Sequence, residues 1–211
     1  MKQIIQRSLS EEVLDKIMAL FWEKGYFNTS VDDIIVATEM SRATLYKFFG
    51  GKDQLFIEML KRFRKNITDQ VTIPLQNKNN GIEGIKNFFL QFIEFYETKN
   101  LRSRGCFLIS TAIEVHSHNE EVAKFIDDFL QHFRKLFRNL LLHSQSDCAL
   151  NNDLNINTIA DFLIGNLFGA MSLCRSATPK RIFENHINGV VDFLSTITKD
   201  TVIKMEEAII N

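Results

Sequence analysis

The chain has 211 residues, 45% of them hydrophobic and 24% charged, with a formal net charge of −1. Those are the proportions of an ordinary globular protein, and overall charge gives no hint of a nucleic-acid partner. Nine glycines and two prolines disfavour a loop-rich β protein and favour long helices, and nineteen phenylalanines imply a bulky aromatic core.

Apolar residues recur at helical spacing from end to end, without the alternation of strands. A first helix carries Val13, Ile17, Leu20 and Phe21 on one face and is expected to stop at Gly25. A second opens at TSVDDIIVAT, with Ser30 and Asp33 spaced as a capping box. After the break EMS comes a third, from about Arg42 to Phe48, with Ser41 placed as its cap. GGK interrupts, and a long fourth helix runs from about Lys52 toward Pro74. QNKNNG (76–81) reads as a linker. Further helices are expected near 82–99, 105–116, 120–143, 156–174 and 180–198, with a short one in the tail 200–211. The fold class is all-α.

Several function classes fall away. The longest apolar run, IADFLIGNLFGAMSLC (159–174), includes Asp161 and Asn166 and is shorter than the roughly 20 residues of a bilayer span. The N-terminus lacks the apolar stretch of a signal peptide, so a cytoplasmic protein without membrane association is expected. Cys106, Cys148 and Cys174 show no CxxC spacing, so no zinc site or disulfide framework is expected. Glu114, His116 and His118 do not make a metal set, because HxH at a helix end turns the two rings to different faces. No hydrolase, nucleotide-binding or metalloprotease fingerprint occurs, and no cofactor is expected.

One short segment concentrates chemistry. MSRATLYKFFGGKDQLF (40–56) places Arg42, Thr44, Tyr46, Lys47 and Lys52 among apolar Leu45, Phe48, Phe49, Leu55 and Phe56. Two short helices joined by a tight turn and packed on a preceding helix form a helix-turn-helix, whose second helix enters the major groove. Leu45 and Phe49, four apart, pin that helix from behind. Arg42 then suits guanine and Ala43 a thymine methyl, while Thr44, Tyr46 and Lys47 suit phosphates. Lys52, at a helix start, adds a cation to an end that already favours anions. The charge behind this is local: residues 1–66 hold 11 Lys+Arg against 9 Asp+Glu, and the remainder 14 against 17.

The ordered elements LFWEKGY, TSVDDI, ATEMSRATLYKFF and KDQLF, within residues 19–56, resemble the DNA-binding region of the TetR family of bacterial transcriptional repressors. The resemblance implies an N-terminal helix-turn-helix domain (1–51) and a larger C-terminal helical domain for effector binding and dimerisation (52–211), with helix 52–73 connecting them. It carries DNA contacts onto Thr29 and Ser30, Arg42, Ala43, Thr44, Tyr46, Lys47 and Lys52. GG at 50–51, where polar residues are more usual, is expected to loosen the turn. The resemblance also implies a homodimer through the last two long helices, for which Phe162, Gly165, Gly169, Val190, Phe193 and Leu194 are the candidate contacts.

It further implies a core cavity for a hydrophobic effector, for which Phe92, Tyr96, Phe107, Phe129, Phe168 and Met171 are the candidate lining. The function so read is a ligand-responsive dimeric regulator bound to a double-stranded operator, a repressor released by a small hydrophobic molecule, and not an enzyme. An alternative is an electrophile- or redox-sensing regulator, because Cys106 sits at a helix start beside Arg102 and Arg104, where its thiol pKa should fall. Outside this class stands a helical protein-interaction module that binds no DNA.

Overall fold

The computed structural model describes residues 9–98, 104–117, 119–147, 149–176 and 178–198, with backbone alone at 67–69, 96–98 and 116. Every named helix in the described residues is set by its ends and by one apolar stripe. Helix α1 (Glu11–Lys24) starts where the Ser10 hydroxyl accepts from the Val13 amide and stops at Gly25, whose φ is 78°. Helix α2 (Val31–Thr38) begins with the expected box, in which the Ser30 hydroxyl accepts from the Asp33 amide and the Asp33 carboxylate from the Ser30 amide. Helix α3 (Arg42–Phe49) is capped by Ser41 and closed by Gly50. Two amides at the α2 start and one at the α3 start are thereby matched locally, which leaves tertiary packing to orient the helices.

Helix α4 (Lys52–Phe63) lies across α1. Arg62 of α4, largely covered, reaches Glu11 at 2.6 Å and Asp15 at 2.7 Å on α1. The predicted uninterrupted helix to Pro74 breaks up: a π-helical stretch Arg64–Thr68 follows Phe63, then single turns Asp69–Val71 and Ile73–Gln76. The β-branched run of Ile67, Thr68, Val71, Thr72 and Ile73 ahead of the proline nitrogen explains the weakening.

The body contains α5 (Gly81–Thr98), α6 (Phe107–Ile113), α7 (Glu120–Ser146), α8 (Ile156–Arg175) and α9 (Lys180–Thr196). Helix α7 packs on both α5 and α8, and α9 packs on α5 and α8. Phe88, Phe89, Phe133 and Phe137 form a cluster of tilted, edge-to-face and stacked rings between α5 and α7. Rings also run from head to body: Phe21 meets Phe56 at 5.1 Å, and Phe56 meets Phe107 of α6 at 5.5 Å. The phenylalanine excess is thus spent on an aromatic core continuous between the two parts. Helix α8 is long and apolar enough to cross a bilayer, yet Leu163, Leu167, Ala170 and Cys174 face that core. The predicted tail helix 200–211, Cys148 and His118 lie outside the described residues.

Candidate nucleic-acid interface and core cavity

Helix α3 is held by one side chain and presents the rest. Leu45 is completely buried and Phe49 partly so. Arg42, Ala43 and Lys47 are exposed, Thr44 is half-buried, and Tyr46 is 48% exposed. The turn before it is tight: Glu39 takes the left-handed conformation at φ 57°, and Met40 is buried. The anchor and the polar fingertips expected from residues 42–49 therefore occupy opposite sides of one helix.

The cations on this face are positioned by neighbours. Arg42 donates to Asp32 of α2 at 2.6 Å, which spans the two helices of the motif. Thr44 bonds the Ser41 hydroxyl at 2.8 Å. Lys52 Nζ lies 4.0 Å from the centre of the Tyr26 ring, and its partial burial lowers its ammonium pKa. Tyr26 in turn donates to the Asp53 carboxylate; burial first, and that bond second, push its phenol up to about 12. The pair GG at 50–51 does not loosen this corner. Gly50 takes the left-handed φ of 78° that ends α3, and α4 starts two residues later. A residue with a Cβ would strain that position.

Ser30 is exposed at the α2 start, as expected. Thr29 is not available: its side chain is fully buried, and its hydroxyl donates to the Gly25 carbonyl at 2.7 Å. The hydroxyl closes the α1–α2 turn, so Thr29 is removed from the contact set. Two exposed apolar residues of the head, Phe27 and Val36, were missed. Val36 lies within an apolar run, IIVA, that gives no hint of which member faces outward.

Beneath α6 lies an apolar cavity lined by Phe63, Val71, Phe92, Gly105, Cys106, Ile109, Phe129, Phe133, Leu167 and Met171. Its free volume is about 40 Å³, room for little more than a water and far below the roughly 300–1,000 Å³ of small-molecule sites. Phe92, Phe129 and Met171 line it as expected. Phe107 instead fills the α4–α6 contact, edge-on to Phe56 and Phe63. Phe168 borders a separate groove with Ala112, Val115, Ile126 and Leu130. The Tyr96 side chain lies outside the described residues.

Cys106 corrects another expectation. It precedes the first turn of α6 and faces the cavity. Burial pushes its thiol up to about 11, against weaker help from the Ile109 and Leu108 amides. The expected fall does not occur. Cys174 is likewise raised, to about 12, by burial. Among the described residues no cluster could hold a metal ion.

Two family descriptions match the chain in sequence. Residues 13–59 match the bacterial regulatory proteins of the tetR family, and residues 81–188 the tetracyclin repressor-like C-terminal domain. The chain belongs to the TetR family. It is similar to the HTH-type transcriptional repressor DhaR of Mycobacterium sp. (strain GP1), with 23% identity over 76% of this chain and 79% of DhaR. In fold it is similar to a TetR transcriptional regulator from Chloroflexus aurantiacus J-10-fl, with a TM-score of 0.79 and 20% identity, over 93% and 97% of the two chains. It also resembles a cysteine mutant of the TetR-family regulator CifR complexed with 26-bp double-strand operator DNA. That TM-score is 0.74 at 20% identity, over 87% and 95% of the chains. Membership makes this TetR-family chain a transcriptional regulator with a DNA-binding helix-turn-helix, and not an enzyme.

The expected dimer contacts divide. Val190 and Leu194 are buried in the protomer's own core, as the inward stripe of α9 on α5 requires, and are withdrawn as interface residues. Gly169 serves the α8–α9 contact, where an added Cβ would come within 3.1 Å of His186. Phe162 is 45% exposed and packs at a tilt on half-buried Phe193 at 4.8 Å, while Gly165 opens to free space. Gly189 and Ile182 of α9 share this outward position. Helical spacing gave the two helices, but not which of their faces was already occupied.

Proposed function

We propose that this TetR-family regulator is a dimeric repressor that grips its operator through α3 and the start of α4. Arg42 and Ala43 read base edges, and Ser30, Thr44, Tyr46, Lys47 and Lys52 hold phosphates. One observation carries this reading: a helix whose buried anchor, Leu45, leaves Arg42, Tyr46 and Lys47 exposed and Thr44 half-exposed. Dimerisation through the outer faces of α8 and α9, around Phe162, Gly165 and Phe193, sets the two α3 helices on half-sites about 34–36 Å apart. The division at 51/52 makes α4 the element shared by head and body. Likeness to DhaR, a repressor, and to CifR, held on operator DNA, supports both direction and partner. The work is done in the cytoplasm, where the DNA is.

The effector is a small hydrophobic molecule that enlarges the cavity under α6. A narrow, apolar cavity walled by Phe63 and Val71, on either side of the π-helical stretch, favours this over thiol sensing. With its pKa near 11, Cys106 is almost wholly protonated at neutral pH and is a poor nucleophile. Release follows if the effector has greater affinity for the arrangement in which the heads no longer match the operator. A coupling of about 1–3 kcal/mol would weaken operator binding roughly 5–150-fold.

The test is DNA binding by fluorescence anisotropy, using the region upstream of the chain's own gene at several salt concentrations. Lys52→Ala should weaken binding to all sequences and reduce the salt slope by about one, with the dimer intact. Equal affinity and slope in wild type and variant would overturn the contact assignment.

A further inference from the structure

The head is tied to the body at a second place besides α4. Arg175, in the last turn of α8, donates to the Trp22 carbonyl at 3.2 Å, the Glu23 carbonyl at 3.3 Å and the Ser110 hydroxyl at 3.1 Å. It also lies 3.5 Å from the Arg104 carbonyl. Trp22 and Glu23 belong to the final turn of α1, whose carbonyls have no helical partners. The other two carbonyls of that end are already occupied, Phe21 by the Gly25 amide and Lys24 by the Asn28 side chain. A guanidinium there also meets the negative end of the α1 dipole. Trp22 completes the tie: its indole N–H donates to the Arg104 carbonyl at 3.1 Å, and the Arg104 guanidinium lies 5.8 Å from its ring.

The same residues adjoin the cavity. Trp22 packs edge-on against Phe63 at 4.9 Å, and Phe63 is a cavity wall. Gly105 and Met171 are walls too. Gly105 is held at φ 62° so close to α8 that a Cβ would come within 2.7 Å of the Met171 carbonyl and 3.2 Å of Arg175 Cβ. Met171 and Arg175 are four apart, one helical turn on α8. A displaced wall at Met171 or Gly105 therefore has a short rigid route to the carbonyls that end α1.

We propose that Arg175 is a positioning residue for operator binding: it locks the reading head at one angle to α8 and thereby fixes the half-site spacing that the dimer accepts. It touches no DNA. It acts by holding α1, on which α2 and α4 pack. The inference rests on the dimeric DNA-binding reading above, and on α8 carrying both the latch and the outward dimer face.

The experiment compares two duplexes, the footprinted sequence from the upstream region and the same sequence with one base pair inserted at its centre. Wild type should favour the natural spacing strongly. Arg175→Ala should keep the dimer and the salt slope while its preference for natural spacing shrinks by roughly fivefold or more, the lower end of ordinary coupling between sites. Trp22→Phe keeps a ring against Phe63 but deletes the indole donor; it should move the preference in the same direction, and it serves if Arg175→Ala does not fold. If affinity for both duplexes drops by one common factor, Arg175 is merely structural and the proposal fails. Unchanged preference in both variants also ends it, while DNA binding by wild type leaves the repressor reading standing. Failure of wild type to bind either duplex would remove both.

Discussion

The reading face on α3 and the cavity under α6 differ in how much of their work is done before a partner arrives. On α3, one buried leucine, a tight turn through Glu39 before it and Gly50 after it leave Arg42, Tyr46 and Lys47 in solvent, already oriented. Under α6, ten mostly apolar walls close on about 40 Å³. On the proposed function, DNA meets a surface that needs little rearrangement, whereas a hydrophobic effector would have to force its own space. That asymmetry suits a regulator, because a ligand with greater affinity for the opened cavity shifts the population toward whatever arrangement the displaced walls impose. In this chain the walls Phe63 and Met171 are attached to the head.

The largest expected effect comes from the closed region. Phe133→Ala removes a ring packed against Phe88, Phe129 and Phe137 and should cost about 3–5 kcal/mol in stability, measured by thermal or urea unfolding. It should also enlarge the cavity enough to admit small apolar solutes, which a titration of thermal stability against such a solute would register. If the loss were well under the range for a buried ring, the cavity would be a loose pocket rather than a packed one. The contrast with α3 would then break. Next in size is Arg42→Ala, at about 1–3 kcal/mol confined to one operator position. It is read by anisotropy on a panel of single-base variants. A uniform loss across the panel would turn Arg42 into a phosphate contact and leave base reading to others.

These two regions also differed in how plainly the sequence announced them. Caps, turn glycines and the Leu45 anchor are local, so residues 41–52 could be read from spacing, and the outward set of α3 followed by subtraction, whereas the Thr29 and Ser30 contacts came from the family resemblance. Thr29 failed because a hydroxyl one residue before a cap has two uses, and only the Gly25 carbonyl decides between them. The cavity could not be read in the same way. Ring density located α5 and α7 correctly, but Phe107 and Phe168 point to other contacts, and those choices depend on helix rotation that sequence periodicity leaves loose. Val190 and Leu194 failed for the same reason: an amphipathic helix shows that one face is apolar, not whether its own chain or a second copy covers it. Cys106 failed because its neighbours in sequence are cations, while its neighbours in space are phenylalanines, isoleucine and methionine.

A smaller effect tests how firmly the head is preset. Ser30→Ala removes the hydroxyl half of the α2 capping box and should cost about 0.5–2 kcal/mol. In wild type, bonds from the Ser30 hydroxyl and amide, with Lys24 beyond them, hold the Asp33 carboxyl down to about 2. A lowered carboxylate stabilises the fold above its ordinary pKa near 3.9 and loses that contribution as pH falls toward about 2. Carboxyl chemical shifts should show Asp33 titrating higher in the Ser30→Ala protein, toward an ordinary aspartate. Unmoved titration would mean that the residue-30 amide and Lys24, 3.1 Å away, hold the charge without the hydroxyl.

The smallest effect concerns the brace behind Lys52. Tyr26 keeps its proton to about 12 because burial disfavours the phenolate and Asp53 accepts from the phenol. Its raised pKa stabilises the fold fully below the ordinary tyrosine value near 10, and that contribution is lost as pH rises through about 12. An ultraviolet titration should therefore show a late-ionising tyrosine, and Tyr26→Phe should abolish that step. Asp53→Asn should lower it only in part, since burial is the larger cause. The DNA consequence separates ring from hydroxyl. Tyr26→Phe leaves an aromatic face under the Lys52 ammonium and should bind DNA as wild type does, whereas Tyr26→Leu removes an attraction worth about 0.5–1 kcal/mol at this half-buried site. If both variants bound equally well, Lys52 would reach its phosphate unaided, and the reading face would be less preset than its geometry implies.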